Sequence, residues 1–169
     1  MDVVEVYKGH ALPEPGQHDA ALITGSWSMV TDRHDWSEAT ADWIRRAVGA
    51  GMPVMGVCYG HQLMAHALGG TVDYHPEGRE MGCLDVALLP TGQEDPWLQG
   101  CPDTFKANLT HSQSVLALPA GAVALARSAH DPHQAVRYAP HAVSVQFHPE
   151  ITPAILAACI QSQIGRAHV

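Results

Sequence analysis

The feature that most constrains this chain is a cysteine at the junction of an apolar segment and a helical pattern. Residues Pro53 to Val57 form a short apolar run of the kind that makes a buried strand. From His61 to Leu68 the apolar residues recur at helical spacing, and a glycine pair ends the pattern. Cys58 therefore lies in a predicted tight turn between strand and helix, with glycines two residues before and two after it.

This position has chemical consequences, because it is the nucleophile-elbow arrangement with Cys in place of Ser. The turn would strain the backbone of Cys58, and side chains at the glycine positions would collide. A thiol at a helix N-terminus can lose its proton near neutral pH, and the N–H of Tyr59 could stabilise an oxyanion beside it. The pattern alone is equally compatible with an ordinary buried cysteine, so the rest of the chain must decide.

The composition limits the class of protein. The chain has 169 residues, 46% of them hydrophobic and 15% charged, which indicates one folded globular domain over residues 1–169. A net charge of −8 with only nine Lys and Arg argues against a nucleic-acid partner. No apolar run reaches the roughly 18 residues of a membrane span, and there is no signal-peptide pattern. We therefore expect a cytoplasmic protein that does not contact a membrane.

The spacing of the cysteines and histidines does not match a metal site. The four cysteines form no C-x-x-C pair, which indicates free thiols in a reducing compartment. There are twelve histidines but no H-E-x-x-H motif, and His61 and His66 lie five apart, which does not put them on one helical face. We expect neither a metal site nor a cofactor.

The first half of the chain alternates strands and helices. A short strand is predicted at Val3 to Tyr7, and a buried parallel strand at Asp19 to Thr24. Asp35 is predicted to cap the next helix, with Glu38 in capping-box register. The elbow strand and its helix follow. This order predicts an α/β fold with an open, mostly parallel sheet and helices on both faces.

The second half consists mainly of strands and turns. Ala142 to His148 alternates with period two, so that Ser144, Gln146 and His148 share one face. A proline at 153 then opens a last helix. Further short strands are predicted at Met81 to Leu89, Val115 to Leu118, Ala122 to Ala126 and Gln134 to Tyr138.

His148 and Glu150 follow the alternating strand and supply the second half of a possible site. A cysteine nucleophile needs a general base beside it, and that base needs a carboxylate to fix its tautomer. His148 suits the first role and Glu150 the second, with the intervening proline stiffening the turn. A histidine at a strand end is, on its own, more often structural.

Two motifs together resemble the class I glutamine amidotransferases, the family with a Cys-His-Glu triad. They are Gly56-Val57-Cys58-Tyr59-Gly60-His61-Gln62 and Val145-Gln146-Phe147-His148-Pro149-Glu150, in the family's order and about 90 residues apart. The resemblance covers nearly the whole chain. Within the family, the chain is similar to stand-alone proteins that resemble the amidotransferase domain of GMP synthase. Weaker matches are Asp19 to Ser26, Thr110 to Val115, Leu118 to Gly121 and Ala126 to Ser128.

The resemblance implies a flavodoxin-like fold and a role for each matching residue. Cys58 would attack the glutamine side-chain amide, His148 would take and return the proton, and Glu150 would orient His148. The products would be glutamate and ammonia, formed through a γ-glutamyl thioester. The oxyanion hole would comprise Gly25, Ser26 and the Tyr59 N–H, and the α-amino acid end of the substrate would be held by Gln62 and the backbone at His111 and Ser112.

The chain departs from the family pattern in two places. The oxyanion loop reads Gly25-Ser26-Trp27, where the family has Gly-Gly-Pro; a backbone donor survives this change, and Trp27 is either a packing or a binding residue. The family's first, central strand and its helix are also missing before Val3. We therefore expect that Met1 is not the natural start of a stable domain: either an upstream strand–helix unit exists or another chain supplies a strand. The sheet should then show a gap, a changed order or an exposed edge bordered by Val3 to Tyr7 and Ala20 to Thr24.

Three functions remain open at this point. The first is a glutamine amidotransferase or glutaminase subunit that passes ammonia to an acceptor on a synthetase partner. The second is a peptidase that cleaves γ-glutamyl bonds in glutathione-like conjugates, which would begin with the same attack by Cys58. The third is a non-catalytic partner-binding module on the same scaffold, which the intact triad disfavours.

Overall fold

The computed structural model describes residues 1–164, which form a seven-stranded sheet, a separate two-stranded sheet and four α-helices. The large sheet has the order β1-β2-β9-β8-β7-β4-β5, and β3 pairs with β6. The strands are β1 (Ala21–Ile23), β2 (Val54–Val57), β3 (Thr71–Tyr74), β4 (Glu80–Leu88), β5 (Thr104–His111), β6 (Gln113–Ala117), β7 (Val123–Arg127), β8 (Ala135–Ala139) and β9 (Ala142–Val145). The helices are α1 (Asp35–Gly49), α2 (Tyr59–Ala67), α3 (Pro90–Gln93) and α4 (Pro153–Ile164).

The sheet is mixed, with strands running in both directions. Strands β1, β2 and β9 are parallel, and the remaining neighbours pair antiparallel. The α/β class is confirmed, but the expectation of a mostly parallel sheet holds only for this three-stranded portion. Parallel neighbours need long crossovers, such as the one through α1, whereas β7, β8 and β9 are joined by short turns that favour antiparallel pairing.

Two apolar clusters cover opposite faces of the sheet. One joins α1 and α2 to Val54 of β2 and Ala142 of β9. The other contains Val57 of β2 and Val145 of β9, together with residues of β4, β5 and β7. Since successive side chains along a strand alternate between faces, positions three apart point to opposite sides. Strands β2 and β9, which precede Cys58 and His148, are therefore held at the centre of the core.

The N-terminal region differs from its prediction. Val3 to Tyr7 is not a strand; the chain forms a single 3-10 turn at Val6–Lys8 there. Strand β1 is present and parallel, as expected, but it lies at the edge of the sheet rather than in its interior, and Leu22 is 56% exposed. Among the described residues no strand pairs with its outer side, so the exposed edge expected at Ala20 to Thr24 is found.

The predicted capping box of α1 is wrong. His34 is the residue before the helix, Asp35 is its first residue, and no side chain caps its N-terminus. Glu38 instead accepts a hydrogen bond from Arg33 at 3.4 Å and lies 3.1 Å from His66 Nε2, which ties α1 to α2. Asp35 and Glu38 still lie in the first turn, where negative charge is favourable.

The second half agrees more closely with its predicted elements. Strands β4, β6, β7, β8 and β9 and helix α4 are all found within a few residues of their predicted bounds. Strand β5 (Thr104–His111) was not predicted, and α3 interrupts the crossing expected at residues 90–102. Within residues 1–164, no helix is both long and apolar enough to cross a membrane.

Candidate active site

Cys58 occupies the predicted elbow between β2 and α2. Its backbone has φ 51° and ψ −101°, a combination rarely adopted by residues with a side chain. The close packing of the two neighbouring glycines explains the G-x-C-x-G pattern. A methyl group on Gly60 would lie 2.2 Å from the carbonyl oxygen of Ile23, and one on Gly56 would lie 2.5 Å from that of Gly60. The turn therefore brings α2 against both β1 and β2.

We expect Gly60→Ala to lower the free energy of unfolding by at least about 3 kcal/mol, because the added methyl collides with backbone that cannot move aside. Gly49→Ala is the matched control: nothing lies within 4 Å of its added methyl. As Gly49 ends α1, this change should stabilise by about 0.5–1 kcal/mol. Urea unfolding of both variants measures the difference, and equal stabilities would contradict this packing.

His148 and Glu150 lie in the turn that follows β9. The backbone N–H of His148 donates to the carbonyl of Asn108 at 2.9 Å, which fixes the turn against β5. His148 Nδ1 lies 2.7 Å from Glu150 Oε1. An ionised carboxylate only accepts hydrogen bonds, so Nδ1 carries the proton and Nε2 is left as the basic nitrogen. His148 is buried, while the Glu150 side chain is 56% exposed.

The loop after β1 brings a glycine against both His148 and Cys58. A methyl group on Gly25 would lie 3.2 Å from His148 Cε1 and 3.8 Å from Cys58 Cβ. Three loops, each at the carboxyl end of one of the parallel strands β1, β2 and β9, therefore converge, which is the edge where open α/β sheets build their sites.

The environment of Cys58 shapes its reactivity. Burial raises the pKa of the Cys58 thiol to about 12. The backbone N–H of Tyr59 lowers this pKa, the negative charge of Glu150 raises it, and the nearby Gln146 side chain lowers it. The sequence-based expectation of ionisation near neutral pH is thus not met, because the effect of burial outweighs the contacts that lower this pKa. Attack by the thiol therefore requires a base that removes its proton.

A cavity opens beside Cys58 and Tyr59. It is lined by the loop at residues 26–29 on one side, by residues 110–113 on the other, and by Gln62 and Arg79. Ser26 and the 64% exposed Trp27 thus lie at the cavity, and the hydroxyl of Ser26 accepts a hydrogen bond from the Ser28 N–H at 3.1 Å.

The predicted substrate-binding residues reach this cavity in different ways. Both Gln62 and Ser112 line it. His111 also lines it, but its ring is held in the protein interior, with Nε2 2.9 Å from Glu80 Oε2 and Nδ1 2.9 Å from the carbonyl oxygen of Gln113. Only the backbone of His111 is therefore available to contact a ligand in the cavity. This is the part of His111 to which the resemblance assigned substrate binding.

Glu80 anchors that interior cluster. Its carboxylate also accepts a hydrogen bond from Gln134 Nε2 at 2.7 Å. Burial alone would raise the pKa of Glu80, but hydrogen bonds from His111 and Ser128 hold it below its ordinary value. The negatively charged Glu80 therefore fixes the end of β5, from which the cavity wall at residues 110–113 continues.

Some residues near the site were not identified from the sequence. Gln146 was assigned to the same strand face as His148 but given no role. Gln113 lay within the Thr110 to Val115 match but was given no role of its own. Arg79 carried no recognisable pattern, and only its position before β4 brings it to the cavity. Within residues 1–164, no group of three or more His, Cys, Asp or Glu side chains is arranged to hold a metal ion, and Cys58, Cys83, Cys101 and Cys159 are free thiols.

Comparison with known proteins identifies the family of this chain. The family model for glutamine amidotransferase class-I matches residues 5–158. The GMP synthase [glutamine-hydrolyzing] of Aeropyrum pernix is 38% identical over 143 residues, which are 85% of this chain and 26% of that protein. The GMP synthase of Alteromonas mediterranea is 38% identical over 140 residues, covering 78% of this chain and 25% of that protein. The chain thus spans about a quarter of the length of these relatives.

Solved structures share the fold. A glutamine amidotransferase from Thermotoga maritima superposes with a TM-score of 0.83 at 22% identity, covering 99% of this chain and 72% of that one. A glutamine amido transferase from Methylobacillus flagellatus superposes with a TM-score of 0.82 at 27% identity, covering 92% of this chain and 61% of that one. The first likeness bears on the fold alone, while the family model covers nearly the whole chain. The chain belongs to the class-I glutamine amidotransferase family.

Proposed function

We propose that this chain hydrolyses the side-chain amide of glutamine, with Cys58 as nucleophile, His148 as general base and acid, and Glu150 as the carboxylate that orients His148. The observation that supports this most strongly is the convergence of three loops at one point. The strained elbow presents Cys58, the paired His148 and Glu150 follow β9, and Gly25 lies against both Cys58 and His148.

In the first half of the reaction, His148 Nε2 removes the thiol proton as Cys58 Sγ attacks the amide carbon. The carbonyl oxygen becomes an oxyanion, which the Tyr59 N–H and the backbone at Gly25 and Ser26 would stabilise. His148 then gives its proton to the leaving nitrogen, so that ammonia departs and a γ-glutamyl thioester remains. Because the pKa of the buried thiol is raised, the proton must be removed by His148 as the sulfur attacks.

In the second half, water attacks the thioester carbon while His148 Nε2 accepts one of its protons. The carbon–sulfur bond breaks, glutamate leaves, and the proton returns to the Cys58 sulfur. Throughout, Glu150 holds the Nδ1 proton of His148 and stabilises the imidazolium that forms in each half. Gln62 and the backbone at His111 and Ser112 line the cavity where the α-amino acid end of glutamine would lie.

The ammonia would pass to an acceptor on a synthetase partner in the cytoplasm. Two observations support a synthetase partner. The chain matches only about a quarter of relatives named GMP synthase. In addition, the fold is shared by a crystal structure from Thermoplasma acidophilum that is named as a GMP synthase subunit. It superposes with a TM-score of 0.70 at 21% identity.

The test is to incubate the purified protein with glutamine and, separately, with γ-glutamyl peptides, and to measure glutamate, ammonia and amine release. Ammonia and glutamate in equal amounts from glutamine are the expected result. Faster release of amine from γ-glutamyl peptides would replace the amidotransferase proposal with a γ-glutamyl peptidase. Release of neither product, alone or with a synthetase added, would favour the non-catalytic partner-binding module.

We expect Arg79→Ala to raise the KM for glutamine about tenfold and to leave kcat nearly unchanged. Arg79 is the one Lys or Arg side chain among the described residues that line the cavity, so it would pair with the substrate α-carboxylate. The α-amide of glutamine lacks that charge, and its KM should change less than twofold. Arg46→Ala, which removes an exposed arginine paired with Glu14, is the matched control. An equal loss for both substrates would contradict this role.

A further inference from the structure

Gln146 lies beside the Cys58 thiol because of the pairing of β2 with β9. Val57 is in register with Val145, and the N–H of Cys58 donates to the Val145 carbonyl at 2.9 Å. The next residue along β9 is therefore the lateral neighbour of the nucleophile. Gln146 is fully buried, and its own N–H donates to the carbonyl of Gln134 at 2.9 Å, so its backbone position is fixed from the other side.

The hydrogen bonds of Gln62 determine which way the Gln146 amide faces. Gln62 Nε2 lies 2.7 Å from the carbonyl oxygen of Gln113, which can only accept, so this end of the Gln62 amide must be the NH₂ group. The same NH₂ lies 2.9 Å from the Gln146 side chain. Gln146 must therefore present its oxygen to Gln62, and its own NH₂ must point the other way.

That NH₂ group points to the nucleophile. Gln146 Nε2 is buried and has no hydrogen-bond partner among the described residues. The Gln146 side chain is nevertheless close enough to the Cys58 thiol to lower its pKa. A buried NH₂ group without a hydrogen-bond acceptor lowers the stability of the fold. A thiolate would accept a strong hydrogen bond from this group, because hydrogen bonds to charged acceptors are stronger than those to neutral ones.

We propose that Gln146 is a further catalytic residue, whose side-chain NH₂ donates a hydrogen bond to the Cys58 sulfur and stabilises the thiolate when His148 removes the proton. This rests on the proposed role of Cys58 as nucleophile. Gln146 and His148 both lie within the three residues that follow β9, so the donor and the base come from the same segment of the chain.

The donor is also coupled to the substrate cavity through a buried chain of hydrogen bonds. It begins at Gln146 beside the thiol, runs to Gln62, which lines the cavity, and then to the carbonyl oxygen of Gln113. That oxygen also accepts from His111, whose other ring nitrogen faces Glu80. A change at Gln62 on substrate binding would therefore reach the thiol through one side chain.

The experiment measures alkylation of Cys58 by iodoacetamide between pH 6 and 9.5, followed by peptide-resolved mass spectrometry. Gln146→Met removes the donor while keeping an unbranched side chain of similar length. The thiolate population should fall about ten- to hundredfold. Because a less stabilised thiolate is intrinsically more nucleophilic, the rate should fall only about three- to tenfold. Besides the thiol, the titratable groups near this point are His148 and Glu150 after β9 and Arg79 and His111 at the cavity, all unchanged in the variant.

Gln146→Glu gives a readout that a packing role would not move. It keeps the shape and the oxygen that Gln62 needs; its carboxyl group donates when protonated and repels the thiolate when ionised. Its deficit relative to the wild-type protein should therefore grow with pH, whereas that of Gln146→Met stays constant. Gln134→Leu, which removes another fully buried glutamine whose side chain bonds to Glu80 and Ser128, should leave the Cys58 alkylation rate unchanged.

Two outcomes would overturn the proposal. One is an alkylation rate in folded Gln146→Met equal to that of the wild-type protein. The other is a Gln146→Glu deficit that does not grow with pH. Thermal unfolding of each variant confirms that it is folded, and the near-isosteric Glu variant keeps the test decisive if Met does not fold. Alkylation requires no turnover, so a wild-type protein that fails to hydrolyse glutamine would refute the proposed function separately from this result.

Discussion

Cys58→Ala is expected to reduce glutamine hydrolysis by about 10⁴- to 10⁶-fold while leaving the fold intact. The reaction loses its nucleophile, and nothing in the cavity replaces it. The α2 helix and both glycines of the elbow are unchanged, and alanine must adopt the same strained backbone conformation that cysteine has. Steady-state ammonia release measures the activity, and far-UV circular dichroism with urea unfolding measures the fold.

Cys58→Ser is the sharper version of this change. A hydroxyl keeps the size and the hydrogen bonds of the thiol, but its proton is far harder to remove in a buried site. We therefore expect it to be as inactive as alanine, which would show that acidity rather than shape is required. Activity above about 1% of wild type in either variant would contradict the assignment of the nucleophile.

Selective labelling separates Cys58 from the other thiols. A glutamine analogue with an electrophilic carbon in place of the side-chain amide should label Cys58 first, because binding holds that carbon beside the sulfur. Cys83 and Cys101 are exposed, and simple accessibility would make them react faster. Replacing either by alanine should leave ammonia release unchanged. Uniform labelling of the four cysteines would count against a binding-directed reaction at Cys58.

The elbow could be predicted from the sequence because its determinants are local. Five consecutive residues carry the pattern, and the packing of Gly56 and Gly60 explains why glycine is found at both positions. The direction of the sheet strands could not be predicted in the same way. Strand direction depends on which connections cross the sheet, and residues that alternate between faces do so in parallel and antiparallel strands alike. Strand β9 was therefore predicted, but its antiparallel pairing with β8 was not.

The edge position of β1 and the absence of a strand at Val3 to Tyr7 have a similar cause. Both segments are apolar enough to form strands, but a strand also needs a partner, and apolar pattern alone does not supply one. Val6–Lys8 forms a 3-10 turn that contacts α1 instead. Leu22 consequently remains exposed in a segment whose composition indicates burial.

The candidate site was predicted unevenly for related reasons. Cys58, His148 and Glu150 occur in two compact motifs, so their chemistry could be inferred before their distances were known. The side chain of His111 pairs with Glu80, 31 residues away, and nothing in the local sequence indicates that pairing. Gln146 is similar: its neighbour Gln62 lies 84 residues away, and only the register of β2 with β9 brings the two together.

Replacing His148 by alanine should reduce glutamine hydrolysis about as much as Cys58→Ala does. The thiol is buried and protonated at neutral pH, so without a base its proton has nowhere to go. Groups that act as one unit are not additive, and the double variant Cys58→Ala, His148→Ala should be no slower than either single variant. His18→Ala, at an exposed histidine, is the control and should retain full activity.

Glu150→Gln should cost less, by about one to two orders of magnitude, than His148→Ala. In the proposed mechanism the carboxylate does not exchange protons with the substrate. Its Oε1 lies 2.7 Å from His148 Nδ1, where it would hold the Nδ1 proton and stabilise the imidazolium. The amide of glutamine can present its oxygen to the same proton, but it carries no negative charge. Because the side chain at position 150 is half exposed, solvent compensates part of the lost electrostatic stabilisation. The deficit should therefore appear mainly in kcat, with the KM for glutamine little changed. If Glu150→Gln were silent while His148→Ala abolished turnover, a different group must orient the histidine.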